Sequence, residues 1–234
     1  MPSRVALAVL ILASCLRGAC LHNANGRIAE FSFSGGSRVD AILALGKQVN
    51  ACFALRNLPR SAFLEQVVFH FQGESPLDIS RKIFQTQHVA VVQSPEGTIE
   101  ISRARKTETL FDYVIPSFVA GRTTLQVLSQ GIKNRLKVEL NPEIQGIAGS
   151  FYSGDQSDLV GPFDERGKTV GQLLNLIVSA SKGATWLAQI PDSSAVRSSA
   201  VDQMWTVIEY NRPMADYKNL IATIGSNYPD REDQ

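Results

Sequence analysis

Between Arg27 and Arg103 the chain switches repeatedly between two periods of apolar residues. "RIAEFSFSGG" alternates like a strand and stops at paired glycines. "SRVDAILALGKQVN" follows with Val39, Ile42 and Leu43 at helical spacing behind Ser37, a plausible N-cap. "ACFALRN" returns to strand character, and "LPRSAF" breaks it. "QVVFHFQG" alternates again, with Val67, Phe69 and Phe71 on one face and Val68 and His70 on the other. "ESPLDISRKIFQTQ" predicts a second helix capped by Ser75. Pro76 stands at its first position, where a missing N–H costs nothing. "HVAVVQSPEGTIEISR" predicts a hairpin around the "SPEG" turn. The order is β-α-β-β-α-β-β. The tight corner at "GESP" would let two helices land on the same face of one small sheet.

The plan then recurs. Phe33 matches Phe118, Ile42 matches Val127, Leu43 matches Leu128, Gly46 matches Gly131, Phe53 matches Val138 and Leu55 matches Leu140, all at an offset of 85. In the second helix Leu77 matches Val170, Ile83 matches Leu176 and Phe84 matches Ile177, at an offset of 93. The added residues fall in "EIQGIAGSFYSGDQSDLVGPFDERG", read as a long loop, and "ATWLAQI" with "MWTVIEY" forms the closing hairpin. Two degenerate copies predict an α+β protein of two tandem small βαββαββ domains, each a small sheet with two helices on one face. The divisions are 1–20, a signal peptide; 26–106, the first domain; 107–212, the second; and 213–234, a tail. On this reading residues 26–106 fold by themselves.

Composition and charge narrow the function classes. Hydrophobic residues make up 44% and charged residues 19% of 234, the profile of a folding chain. A net charge of +1 points to neither nucleic acid nor an anionic membrane as an electrostatic partner. The one dense basic run, "SRARK", reads as a solvated linker. "VALAVLILA" after "MPSR" is shorter than the about 20 apolar residues a spanning helix needs, and reads as an export signal. "LASC" resembles the bacterial lipobox, which would make Cys15 the acylated N-terminal residue. Ordinary cleavage between about Cys15 and Cys20 is the alternative. Cys20 and Cys52 could pair in an oxidising compartment, but the strand-like flanks of Cys52 favour a buried thiol.

The first copy resembles the short N-terminal domain of secretins and TonB-dependent receptors. The stretch that carries the likeness is "VVFHFQGESPLDISRKIF", together with the helix "AILALGKQVN", the strand "ACFALR" and the hairpin ending "EGTIEI"; it covers about residues 28–103. The resemblance implies a periplasmic βα domain that docks other envelope proteins or packs into oligomeric rings, with no catalytic residues and no cofactor. It implies other envelope proteins or self-association as partners; membrane attachment, through a lipid alone, is what the lipobox resemblance at Cys15 implies. The implied location is the periplasm, or the outer membrane as a lipoprotein. Two features depart from the family: no channel or barrel segment follows, and the second copy carries the long loop.

Candidate chemistry is sparse. A Cys52–His70 pair has the residue types of a nucleophile and base, against the plainer reading of a buried Cys and a half-exposed His. Asp155, Asp158, Asp164 and Glu165 could hold calcium, but the EF-hand spacing is missing, so no metal site is assigned. Trp186, Trp205, Tyr210 and Phe151 could form a ligand face for a small molecule, and two tryptophans on paired strands more often build a core. The strands that close each copy are the candidate interaction edges: Thr98, Ile99 and Glu100 in the first, Trp205, Val207 and Glu209 in the second.

Overall fold

A computed structural model describes residues 24–103, 111–140, 159–181, 183–188 and 205–209. The first half follows the expected order with one addition, a short helix where "LPRSAF" reads as a break. Strand β1 (Ile28–Gly36) leads into helix α1 (Arg38–Val49), strand β2 (Phe53–Arg56) and the short helix α2 (Ser61–Leu64). Strand β3 (Val67–Glu74), helix α3 (Pro76–Ile83), and strands β4 (Ala90–Gln93) and β5 (Ile99–Ser102) complete it. The second half holds strand β6 (Val114–Ala120), helix α4 (Leu125–Leu140), strand β7 (Phe163–Thr169), helix α5 (Val170–Ser179), and strands β8 (Ala184–Ala188) and β9 (Trp205–Glu209).

The boundaries follow from local chemistry. Ser37 Oγ accepts from the Asp40 N–H at 3.1 Å, while Asp40 Oδ2 accepts from the Ser37 N–H at 2.8 Å, a reciprocal cap on α1. Thr169 and Gln172 cap α5 in the same way. Ser75 caps α3 ahead of Pro76. Both glycines at the end of β1 are required: Gly35 takes φ +87°, and a Cβ on Gly36 would stand 2.8 Å from the Phe33 ring. Matching caps pair Ser37 with Thr124 and Ser75 with Thr169, so the two repeat offsets are two residues and one residue longer than apolar matching implies.

Three sheets form. β1 and β3 make an antiparallel ribbon, and so do β6 and β7. The remaining strands build one five-stranded sheet in the order β4-β5-β2-β8-β9. Within it β2 is parallel to both neighbours, with Phe53 opposite Ile99 on one side and Thr185 on the other. A strand in that position buries both faces, and β2 does: Phe53 and Leu55 enter one core while Cys52 and Ala54 enter the other. The core of the first half places α1 and α3 between the β1–β3 ribbon (Phe31, Phe33, Phe69, Phe71) and one sheet face. The second core places α4 and α5 between the β6–β7 ribbon (Ile115, Phe118, Phe163) and the other face. The layers therefore run ribbon, helices, sheet, helices, ribbon.

The α+β class holds, and its arrangement differs from the expectation in three ways. The halves meet in one sheet in place of two, because "KVEL", expected as the second copy's counterpart of β2, is the last turn of α4. Leu125, Leu128, Ile132 and Leu136 carry the buried helical stripe to that turn, and Arg135 pairs with Glu139 at 2.8 Å along it. Among the described residues no such strand stands in the second half, and β8 pairs with β2. The helices are also sandwiched between two β layers, not laid on one face of a sheet. Finally, part of the expected loop is β7: "FDERGKT" buries only Phe163 and pairs along β6, with Ala120 opposite Phe163. Among the described residues no helix is long and apolar enough to cross a membrane.

Candidate functional site

The densest polar arrangement lies on the face of the five-stranded sheet that meets α5. Arg56 Nη2 donates to Glu100 Oε2 at 2.8 Å, with the two side chains 16% and 17% exposed. The other oxygen, Glu100 Oε1, accepts from Asn175 Nδ2 at 2.6 Å. Asn175 Oδ1 accepts from Trp186 Nε1 at 2.9 Å, and the Trp186 ring lies 5.4 Å from Phe111. The Arg56 guanidinium stands 6.0 Å over that same Phe111 ring. One chain of charge-assisted bonds thus links β2, β5, α5 and β8. Consecutive members bond one another, which offsets part of the cost of burying them. Its chemistry is structural: the carboxylate and the guanidinium are turned on each other.

Cys52 lies beside this network, buried and disulfide-bonded. The chain's other cysteines, Cys15 and Cys20, are outside the described residues. The expectation of a buried thiol is corrected in one respect: burial is as expected, but the sulfur is oxidised. Its 3.2 Å approach to Val178 O is consequently a packing contact, since a disulfide sulfur carries no proton to donate. Sequence flanks report burial and are silent on a partner far away along the chain.

The other candidates are dispersed. Cys52 and His70 do not meet: His70 is on the outer face of the β1–β3 ribbon. There its Nδ1 stands 2.8 Å from Ser32 Oγ and 3.7 Å from Glu30 Oε1. Hydroxyl and carboxylate crowd the same ring nitrogen, and Nε2 faces Gln72 at 3.1 Å. The relay of a hydrolytic triad needs opposite nitrogens. Asp164 and Glu165 belong to β7, not to a loop, and Asp164 stands 3.9 Å from Arg166. Asp155, Asp158, Phe151, Tyr210 and Cys15 lie outside the described residues. Among the described residues no group of His, Cys, Asp and Glu is placed to hold a metal ion. Trp186 is fully buried and bonded, a core residue and not a ligand face.

The edge assignment changes for the first copy. β5 is an interior strand, flanked by β4 and β2. Thr98 and Ile99 are fully buried, and Glu100 belongs to the network above. Ile99 and Ile101 alternate toward the core, so the charge between them serves an inward ion pair and not edge protection. Among the described strands the outermost of the five-stranded sheet are β4 and β9. Trp205, Val207 and Glu209 belong to β9, with Val207 packed partly into the second core.

A groove of about 500 Å³ opens between β6 and α4, lined by Phe118, Val119, Val127, Gly131 and Arg135 among others. Nothing in the sequence pointed to it beyond Gly131 in a helical stretch. Comparison with protein-family models, with curated proteins and with solved structures finds no match in any of the three.

Proposed function

We propose that this chain is an exported, non-enzymatic protein-interaction module of the cell envelope. On this reading it is a degenerate tandem of the βα unit that resembles the secretin and TonB-receptor N-terminal domain, fused through one sheet. The observation that carries it is the β9 edge: a strand of β-branched residues, "WTVIE", whose outer side faces no other described strand. Export is supported by the Cys52 disulfide, because disulfides persist in oxidising compartments such as the periplasm. The partner is another envelope protein or a second copy, held by strand addition. Any membrane attachment is through a lipid on Cys15.

A proline scan of β9 tests the edge. Along an antiparallel strand, adjacent backbone N–H groups point to opposite sides. Of Thr206→Pro and Val207→Pro, one removes a bond to β8 and costs about 3 kcal/mol, and the other removes only an outward donor. The outward variant should keep the melting temperature and lose self-association by ultracentrifugation, together with retention of envelope partners. Association that survives both substitutions rules out β9 as the docking edge.

A further inference from the structure

We propose that the groove between β6 and α4 takes an extended acidic peptide from a partner protein, laid beside β6 as a third strand of its ribbon. This is a second contact surface, separate from β9 and on a different sheet. Four observations carry it. The β6–β7 sheet has only two strands, so β6 keeps one side unpaired among the described strands, and the groove of about 500 Å³ runs along that strand. The floor is low because residue 131 is glycine. A Cβ there would touch the Phe118 ring at 3.6 Å, an ordinary contact, so a longer side chain at 131 would rise into the groove that Gly131 and Phe118 both line. The rim is apolar: Val119, which lines the groove, and Val114, on the same strand, are 72% and 51% exposed.

The fourth observation is the contrast between halves. In the first half the corresponding helix and strand are bridged by a side chain: Gln48 Nε2 on α1 donates to the Glu30 carbonyl on β1 at 2.8 Å. Counted from the caps Ser37 and Thr124, the residue of α4 in Gln48's place is Arg135. Arg135 does not reach across; it pairs along its own helix with Glu139 at 2.8 Å. Among the described residues it is the one charged side chain lining the groove. A guanidinium has five donors, more than one carboxylate can occupy, so an anionic group entering the groove finds a fork still able to bind it. The occupant is thus a strand whose apolar side chains cover Val119 and Val127 and whose Asp, Glu or terminal carboxylate reaches Arg135. Strand addition gives the affinity and the single cation the polarity.

The test uses the whole mature protein and a displayed pool of random eight-residue peptides. Selection should enrich sequences with alternating β-branched residues and an acidic group at one end. Gly131→Leu, which fills the groove from its floor, should weaken the enriched peptides about tenfold or more. Arg135→Gln should weaken them and flatten the salt dependence of what remains. Gly131→Ala guards against misfolding: glycine is replaced in a helix interior with an ordinary contact to Phe118, so the melting temperature should hold or rise while peptide affinity falls. The proposal is overturned by a selection that enriches nothing or enriches no acidic group. It is equally overturned by peptides that bind Gly131→Leu as well as the parent, or by self-association that Gly131→Leu abolishes, which would make the occupant a second copy. The outward β9 proline variant should bind the peptides normally, which separates this groove from the β9 edge.

Discussion

Trp186→Ala should destabilise the whole molecule by about 4 kcal/mol, because a fully buried Trp in a packed core leaves a cavity that its neighbours fill only in part. The substitution also strands Asn175 Oδ1, which accepts from the indole at 2.9 Å. Folded chains hold roughly 5–15 kcal/mol in total, so this is a large share. At about 2–4 °C per kcal/mol for a chain of this size, thermal melts should fall by about 10 °C. The informative part is where the loss is felt. Trp186 sits on β8 beside Ala54 of β2, so amide exchange should accelerate in the first half's α1 and α3 as well as in the second half. Acceleration confined to the second half would show that β2–β8 pairing couples the halves weakly. Trp186→Phe keeps most of the buried ring but not the donor, and should cost about 1–3 kcal/mol.

Glu100→Ala should have the second-largest effect, about 3–5 kcal/mol, through a different mechanism. The pair with Arg56 need not add net stability, since desolvating two charges offsets most of their attraction. Removing one member is costly because Arg56, 16% exposed, then loses the carboxylate it bonds at 2.8 Å. Asn175 loses its acceptor in the same step. Glu100→Gln keeps one carbonyl oxygen for one of the two bonds and should fall between parent and Ala. Denaturant melts order the three variants; an Ala variant as stable as the parent would mean that water replaces Glu100 without loss.

The first half was readable because its signals are local. Ser37 with Asp40, Ser75 before Pro76, and the alternating Phe69 and Phe71 each act within a few residues, and each element formed where they place it. What was not readable depends on partners far along the chain. The four residues of β2 carry no mark that β8, more than a hundred positions away, pairs with them, although the unbroken buried run "FAL" is what a strand covered on both faces requires. The last strand of the first copy reads as an edge only where order in sequence equals order in the sheet; the parallel pairing of β5 to β2 breaks that equivalence. β7 escaped because a ribbon strand over a small core needs one apolar anchor, Phe163, and "DERGK" around it has the composition of a loop. Trp186 was legible as core, and its bond to Asn175 was not, because a helix Asn looks the same whether it faces solvent or an indole.

The two halves share one sheet through the β2–β8 pairing and should therefore fold as one unit. Scanning calorimetry of the intact chain tests this most directly. One transition whose calorimetric and van't Hoff enthalpies agree is the expected result. Two resolved transitions, or a calorimetric enthalpy about twice the van't Hoff value, would show that the halves melt separately and that the β2–β8 seam does not join them.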